Sequence, residues 1–140
     1  MKKILAILTI AICLMASANI LETRIETEYS SELVREPKQL NEANFDEAIN
    51  TGVVIVEFVA SFAEPFEDWE QVEKEGPYYR VDIEKYPSLK KKYKIRVIPT
   101  ILVFNNGFKE LSYRANIMLE LDVTASEIHQ DIEDIFNDKF

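Results

Sequence analysis

The stretch Val53-Val54-Ile55-Val56-Glu57-Phe58-Val59-Ala60 constrains this chain more than any other. It is a continuous apolar run, rich in β-branched residues and broken once by an acid. Its length and composition predict a central strand covered on both faces. A fold that contains it must supply two covering layers. It must also neutralise or pair Glu57, because an isolated buried charge is too costly to keep. The expected solution is a carboxyl satisfied by a nearby lysine or a water.

The flanking patterns supply the layers. Phe45, Ala48 and Ile49 lie at helical spacing after a cap-like Asn44 and Glu47, and Gly52 ends that short helix. Pro65 to Glu75 predicts an acidic helix stopped by Gly76-Pro77. Phe62, Phe66 and Trp69 fall at i, i+4 and i+7, which places them on one helical face. Tyr78 to Ile83 reads as a strand and Pro87 to Tyr93 as a short basic helix. Ile101 to Phe104 is a strand. Asn105-Asn106-Gly107 is a hairpin turn, since Asn and Gly tolerate the positive φ such turns need. Phe108 to Ala115 returns antiparallel. Thr124-Ala125-Ser126-Glu127 is a capping box for a last helix, with Ile128, Ile132, Ile135 and Phe136 on its inner face. Short edge structure fits Leu33 to Leu40, and residues 116–123 form a loop without an assignable pattern. Strands that alternate with helices are expected to be parallel with right-handed crossovers. The fold class is therefore α/β, a mixed sheet of four or five strands sandwiched between helices.

The N-terminus has a different grammar. Lys2 and Lys3 precede an apolar run from Ile4 to Met15, and Ala16-Ser17-Ala18 is a small-residue site. This pattern predicts a signal peptide over 1–18, cut between Ala18 and Asn19. The run is short for a transmembrane anchor, which needs about 20 residues. No stable membrane anchor is expected after cleavage. The expected compartment is periplasmic or secreted. Residues 19–36 are polar and charged and read as a flexible lead-in, which leaves 37–140 as the folded domain. Cys13 is the only cysteine and lies inside the signal segment. Ile12 before it is a poor fit to a lipoprotein site. The mature chain would then carry no thiol, no disulfide and no thiolate ligand.

Charge narrows the partners. Sixteen basic residues less Lys2 and Lys3 leave 14 against 25 acids, a balance of −11. Such a surface repels phosphate backbones, so nucleic acid is an unexpected partner. Glu64, Glu67, Asp68, Glu70, Glu73 and Glu75 read as a solvated acidic helix face rather than a metal site. Lys90-Lys91-Lys92 reads as a solvated basic face with some capacity for docking. His129, the single histidine, reads as a surface or packing residue. No cofactor and no metal are implied.

Three stretches resemble the thioredoxin family. VVIVEFVASFAEPF is similar to the strand, turn and helix start that hold the family's W-C-G-P-C motif. YYRVDIEKYPSLKKKYKIRVIPTILVF resembles its V-D-x-x-x-x-P-x-L…Y-x-I-x-x-I-P-T stretch, and FNNGFKE its hairpin. The resemblance covers about residues 38–136 and implies a thioredoxin-like fold. It implies that Pro99, after Ile98, is the family's cis-proline, beside which an extended peptide pairs with the backbone. It also places Glu57 where the family has a buried acid that assists proton transfer to the resolving cysteine.

The departures fall on the chemistry. Phe62 occupies the tryptophan position, Ala63 and Phe66 the two cysteine positions, and Glu64 the glycine position; Pro65 is kept. Thiol-disulfide exchange needs one thiolate to attack and a second thiol to resolve. Ala and Phe do neither, so no catalytic residue and no enzyme activity are expected. The segment from Phe66 to Asp82 is also shorter than the family's, which predicts a trimmed helix beside the site. The function expected is a redox-inactive, exported domain of bacterial type. It would bind an extended polypeptide or protein partner at Phe62, Ala63, Glu64, Pro65, Phe66, Ile98 and Pro99. Phe66 has two possible places, turned inward with Trp69 or lining the groove. The rival expectations are an oxidoreductase relative or accessory, a purely structural module, and a holdase-like chaperone.

Overall fold

A computed structural model describes residues 34–138. The signal segment 1–18, its cleavage site, Cys13 and residues 19–33 of the lead-in lie outside the described residues. Val53–Val59 forms the strand β2, with its five central residues fully buried. It sits in the middle of a five-stranded sheet. The other strands are β1 (Lys38–Gln39), β3 (Tyr78–Asp82), β4 (Thr100–Asn105) and β5 (Phe108–Arg114), in the spatial order β1-β3-β2-β4-β5. β1, β3 and β2 run parallel, and β4 and β5 add antiparallel. The expected mixed sheet is thus present with five strands, and the edge structure before Leu40 is the short β1.

The period of two in β2 divides the core. Val54, Val56, Phe58 and Ala60 point to one face. There they meet Phe45 of helix α1 (Phe45–Ala48) and Leu89 of helix α3 (Pro87–Lys92). The Phe45 ring lies 4.8 Å from the Tyr93 ring and 6.0 Å, edge-on, from Phe104, spacings at which aromatic pairs attract. Ile55 points to the other face, which is filled by Trp69 and Val72 of helix α2 (Trp69–Val72) and by Ile128 and Ile132 of helix α4 (Ala125–Asn137).

The hairpin turn is as the sequence implies. Asn106 (φ 50°) and Gly107 (φ 84°) make a two-residue loop with both φ positive, which matches the twist of the flanking strands. The Thr124–Glu127 capping box is complete. Three local expectations change. Asn44 does not cap α1 with its side chain; its Oδ1 accepts the Asn41 N–H at 2.8 Å instead. Phe136, expected to be covered on the inner face of α4, is 39% exposed; with Ile135 it borders a small crevice beside Val53 and Val103. The acidic helix expected over Pro65–Glu75 shrinks to the single turn Trp69–Val72.

That last difference has an identifiable cause. A helix through Phe66 would need its carbonyl for the amide four residues on. Here the Phe66 carbonyl accepts from Arg80 Nη2 at 3.0 Å, and the Phe66 N–H donates to Glu57 Oε1 at 2.6 Å. Both groups are committed to strand side chains before a helix can claim them. Phe62 therefore does not share a face with the other two: it is 61% exposed, while Phe66 turns inward and is buried with Trp69 in the second core. The trimmed helix anticipated from the short Phe66–Asp82 segment is observed.

Candidate functional site

Glu57 organises one side of the site. It is fully buried, and the cation that pairs with it is Arg80 rather than the expected lysine. Its Oε2 accepts from Arg80 Nε at 2.8 Å and from the Tyr78 hydroxyl at 3.0 Å, and its Oε1 takes the Phe66 amide. Arg80 is the register partner of Glu57 across the β2–β3 pair, and Tyr78 lies two residues before it on the same face. Burial first, and then the Glu57 charge beside it, push the Tyr78 phenol far above its ordinary range. The hydroxyl therefore stays a donor at any physiological pH. The carboxylate has three donors, one of them cationic, which is what a buried charge requires. Arg80 closes the loop by also holding the Phe66 carbonyl. This knot fixes the main chain at the position that aligns with the family's second cysteine.

The turn before it is tied separately. The Ser61 N–H donates to Glu84 Oε2 at 2.8 Å, and this bond holds the exposed Glu84 carboxyl below its usual range. The Ile98–Pro99 peptide bond is cis. The Pro99 carbonyl accepts from the Ala115 N–H at 3.0 Å, and the Thr100 hydroxyl donates to the Val97 carbonyl at 2.8 Å.

Glu64, Pro65, Phe66 and Pro99 meet along a surface cleft of about 320 Å³. Glu67 and Asp68 extend that wall. Residues 119–121 and Val123 form the opposite one. Phe66 is therefore both largely buried and part of the cleft lining. The remaining predicted contacts are not brought to it. Phe62 stands exposed outside the lining, Ala63 packs half-buried against the first core, and the Ile98 side chain is buried in that core.

The second wall had no counterpart in the sequence reading. Its loop is built on Asn116. The Asn116 Oδ1 accepts from the Met118 N–H at 2.7 Å and the Glu120 N–H at 3.2 Å, and its Nδ2 donates to Asp122 Oδ2 at 2.9 Å. The Asn116 N–H donates to the Glu120 carbonyl at 2.9 Å. Leu119 takes the left-handed conformation (φ 64°) at the tip. Asn is the side chain suited to such self-templated turns, and Asn116 was the one available signal. Ile117 and Met118 project into solvent from this frame.

Among the described residues, no group of three or more His, Cys, Asp or Glu is placed to hold a metal ion. His129 lies on α4 with Nδ1 against the Glu75 carboxylate, away from the cleft. The acids of residues 64–75 are spread over an irregular turn and a single helical turn rather than along one helix.

Comparison with known proteins agrees with this architecture. Residues 36–126 match the thioredoxin family. A thioredoxin of Staphylococcus haemolyticus is 32% identical over 77 residues, which cover 49% of this chain and 74% of the relative. A thioredoxin of Mycoplasmoides gallisepticum is 31% identical over 75 residues, covering 48% and 75%. Among solved structures, chloroplastic thioredoxin z superposes with a TM-score of 0.59 at 20% identity, covering 76% of this chain and 99% of its own. A Plasmodium falciparum thioredoxin gives 0.55 at 24% identity, covering 69% and 97%. These structural likenesses establish the fold, and the match over residues 36–126 together with the curated relatives establishes the lineage: the chain belongs to the thioredoxin family.

Proposed function

We propose that this chain is an exported, redox-inactive thioredoxin-like domain that binds an extended polypeptide or a protein partner in the cleft beside Pro99. The observation that carries the reading is the pairing of lost thiols with a kept groove. Ala63 and Phe66 stand at the positions matching the family's cysteines, yet Glu64, Pro65, Phe66 and Pro99 still line an open cleft. A methyl group and a phenyl ring cannot form or resolve a mixed disulfide. Cys13 is the only cysteine in the chain and falls in the predicted signal peptide. What the cleft retains is shape, apolar surface and main-chain groups, the elements of strand addition. The Ile98 side chain is committed to the core, so this residue would contribute only main chain. Glu57, held by Arg80 and Tyr78, anchors the wall instead of moving protons. The reading involves no cofactor. Export rests on the basic start, apolar run and small-residue site of residues 1–18.

The test is a photoreactive side chain in place of Glu64 on the cleft rim, irradiated in cells that export the protein. One discrete adduct identifies a dedicated partner, and a ladder of exported proteins identifies a general polypeptide binder. Either supports the reading. No adduct, with export and folding verified, overturns it in favour of a structural module. Disulfide reduction by a purified Cys13→Ser variant would overturn the redox-inactive part.

A further inference from the structure

We infer that the cleft selects cationic segments, taking an extended polypeptide that alternates apolar residues with lysine or arginine. This rests on the reading of the cleft as a polypeptide site and adds the chemistry of what enters it. Acids stand on both walls: Glu64, Glu67 and Asp68 on one, Glu120 on the other. Among the described residues, no lysine or arginine lines the cleft. All four acids are exposed. Asp68 accepts a hydrogen bond from Gln71 Nε2 at 3.1 Å. None of the four forms a salt bridge among the described residues. Two carboxylates elsewhere on the surface do hold lysines: Asp46 holds Lys92, and Asp82 holds Lys85. The cleft thus concentrates unpaired negative charge around an apolar strip of Pro65, Phe66, Pro99, Leu121 and Val123.

The geometry suits an extended chain. Successive side chains of a strand point in opposite directions, so one set can enter the apolar strip while the other meets the acidic rims. The second wall is held in advance, because Asn116 fixes Glu120 through both its N–H and its carbonyl. Ordering that wall costs nothing at the moment of binding. Anionic segments are repelled by the same rims, and like-charge exclusion is a strong source of specificity. The net charge of −9 adds long-range attraction for a basic partner.

The experiment is fluorescence anisotropy with the purified protein and three fluorescein-labelled nine-residue peptides. These alternate valine with lysine, with glutamine or with glutamate. Exposed acid–base contacts are each worth about a twofold to fivefold change in affinity. The lysine peptide is therefore expected to bind at least about tenfold tighter than the glutamine peptide, with the advantage shrinking as salt rises. In the Glu64→Gln/Glu67→Gln/Glu120→Gln variant it should bind no better than the glutamine peptide. Equal binding of all three peptides to the unaltered protein overturns the charge selection and leaves the polypeptide site standing. Undiminished lysine-peptide binding by the triple variant overturns the placement of selection at this cleft. No binding of any peptide overturns this inference together with the extended-polypeptide part of the proposed function.

Discussion

Replacing Arg80 by methionine is the sharpest perturbation of the wall that faces the cleft. Arg80→Met keeps the stem of a side chain that is 13% exposed and deletes its charge. The Nε–Glu57 bond of 2.8 Å and the Nη2–Phe66 carbonyl bond of 3.0 Å are both lost. Glu57 stays fully buried, with only the Tyr78 hydroxyl and the Phe66 amide as donors. Stranding one member of a buried ion pair costs about 3–5 kcal/mol. Typical domains have only about 5–15 kcal/mol to lose. At about 4–8 °C per kcal/mol for a domain of this size, melting should fall by at least about 12 °C. The assay is urea unfolding followed by the fluorescence of Trp69, which is buried in the native state. A second variant tests the cause. Glu57→Leu together with Arg80→Met removes both charges and should be less destabilised than the two single changes summed, by about 2 kcal/mol. Full recovery is not expected, because the Phe66 amide and the Tyr78 hydroxyl lose their acceptor. A cost below about 1 kcal/mol for Arg80→Met, as for a surface pair, would refute the reasoning. So would strict additivity of the two changes.

Further predictions concern the frame around the site. Gly76→Ala would set a Cβ 2.1 Å from the Val53 carbonyl oxygen, and so should destabilise by at least about 2 kcal/mol in the same urea assay. Thr124→Ala removes the side-chain half of the capping box on α4 and should cost about 1 kcal/mol, read from the melting temperature. Folding holds the Tyr78 and Tyr113 phenols above their ordinary value, chiefly through burial. The native state therefore keeps protons that the unfolded chain gives up. The stability these two phenols contribute should be constant below about pH 10 and fall above it, by about 1.4 kcal/mol per pH unit for the buried Tyr78 and by less for the half-exposed Tyr113, where solvent screens the shift. Tyr113→Phe should reduce that alkaline slope; an unchanged slope would contradict the assignment.

The sequence disclosed those parts of the fold whose signals are local. β2 announced itself by an apolar run broken only by Glu57, the hairpin by Asn106-Gly107, and α4 by its capping box and the spacing of Ile128 and Ile132. The resemblance located Pro65, Phe66 and Pro99, and these do line one cleft. The failures were non-local. The helix expected from Pro65 onward is pre-empted by Glu57 and Arg80, side chains nine and fourteen residues from Phe66. No helical periodicity can register that competition. The sequence alone suggests a lysine or a water beside Glu57, whereas the β2–β3 register brings Arg80 opposite it. The second wall was missed because residues 116–123 contain neither Gly nor Pro. Their turn depends on one asparagine side chain folding back on its own loop.

Amide chemical shifts of the isotope-labelled protein test the central claim most directly. They would be recorded during titration with reduced, carbamidomethylated ribonuclease A, an unfolded basic polypeptide whose thiols are capped so that no exchange chemistry is possible. The account predicts saturable shifts concentrated at residues 64–68 and 119–123, and little change along α3. Shifts confined to the exposed edge strand β5 around Phe108, or no shifts at all, would contradict it.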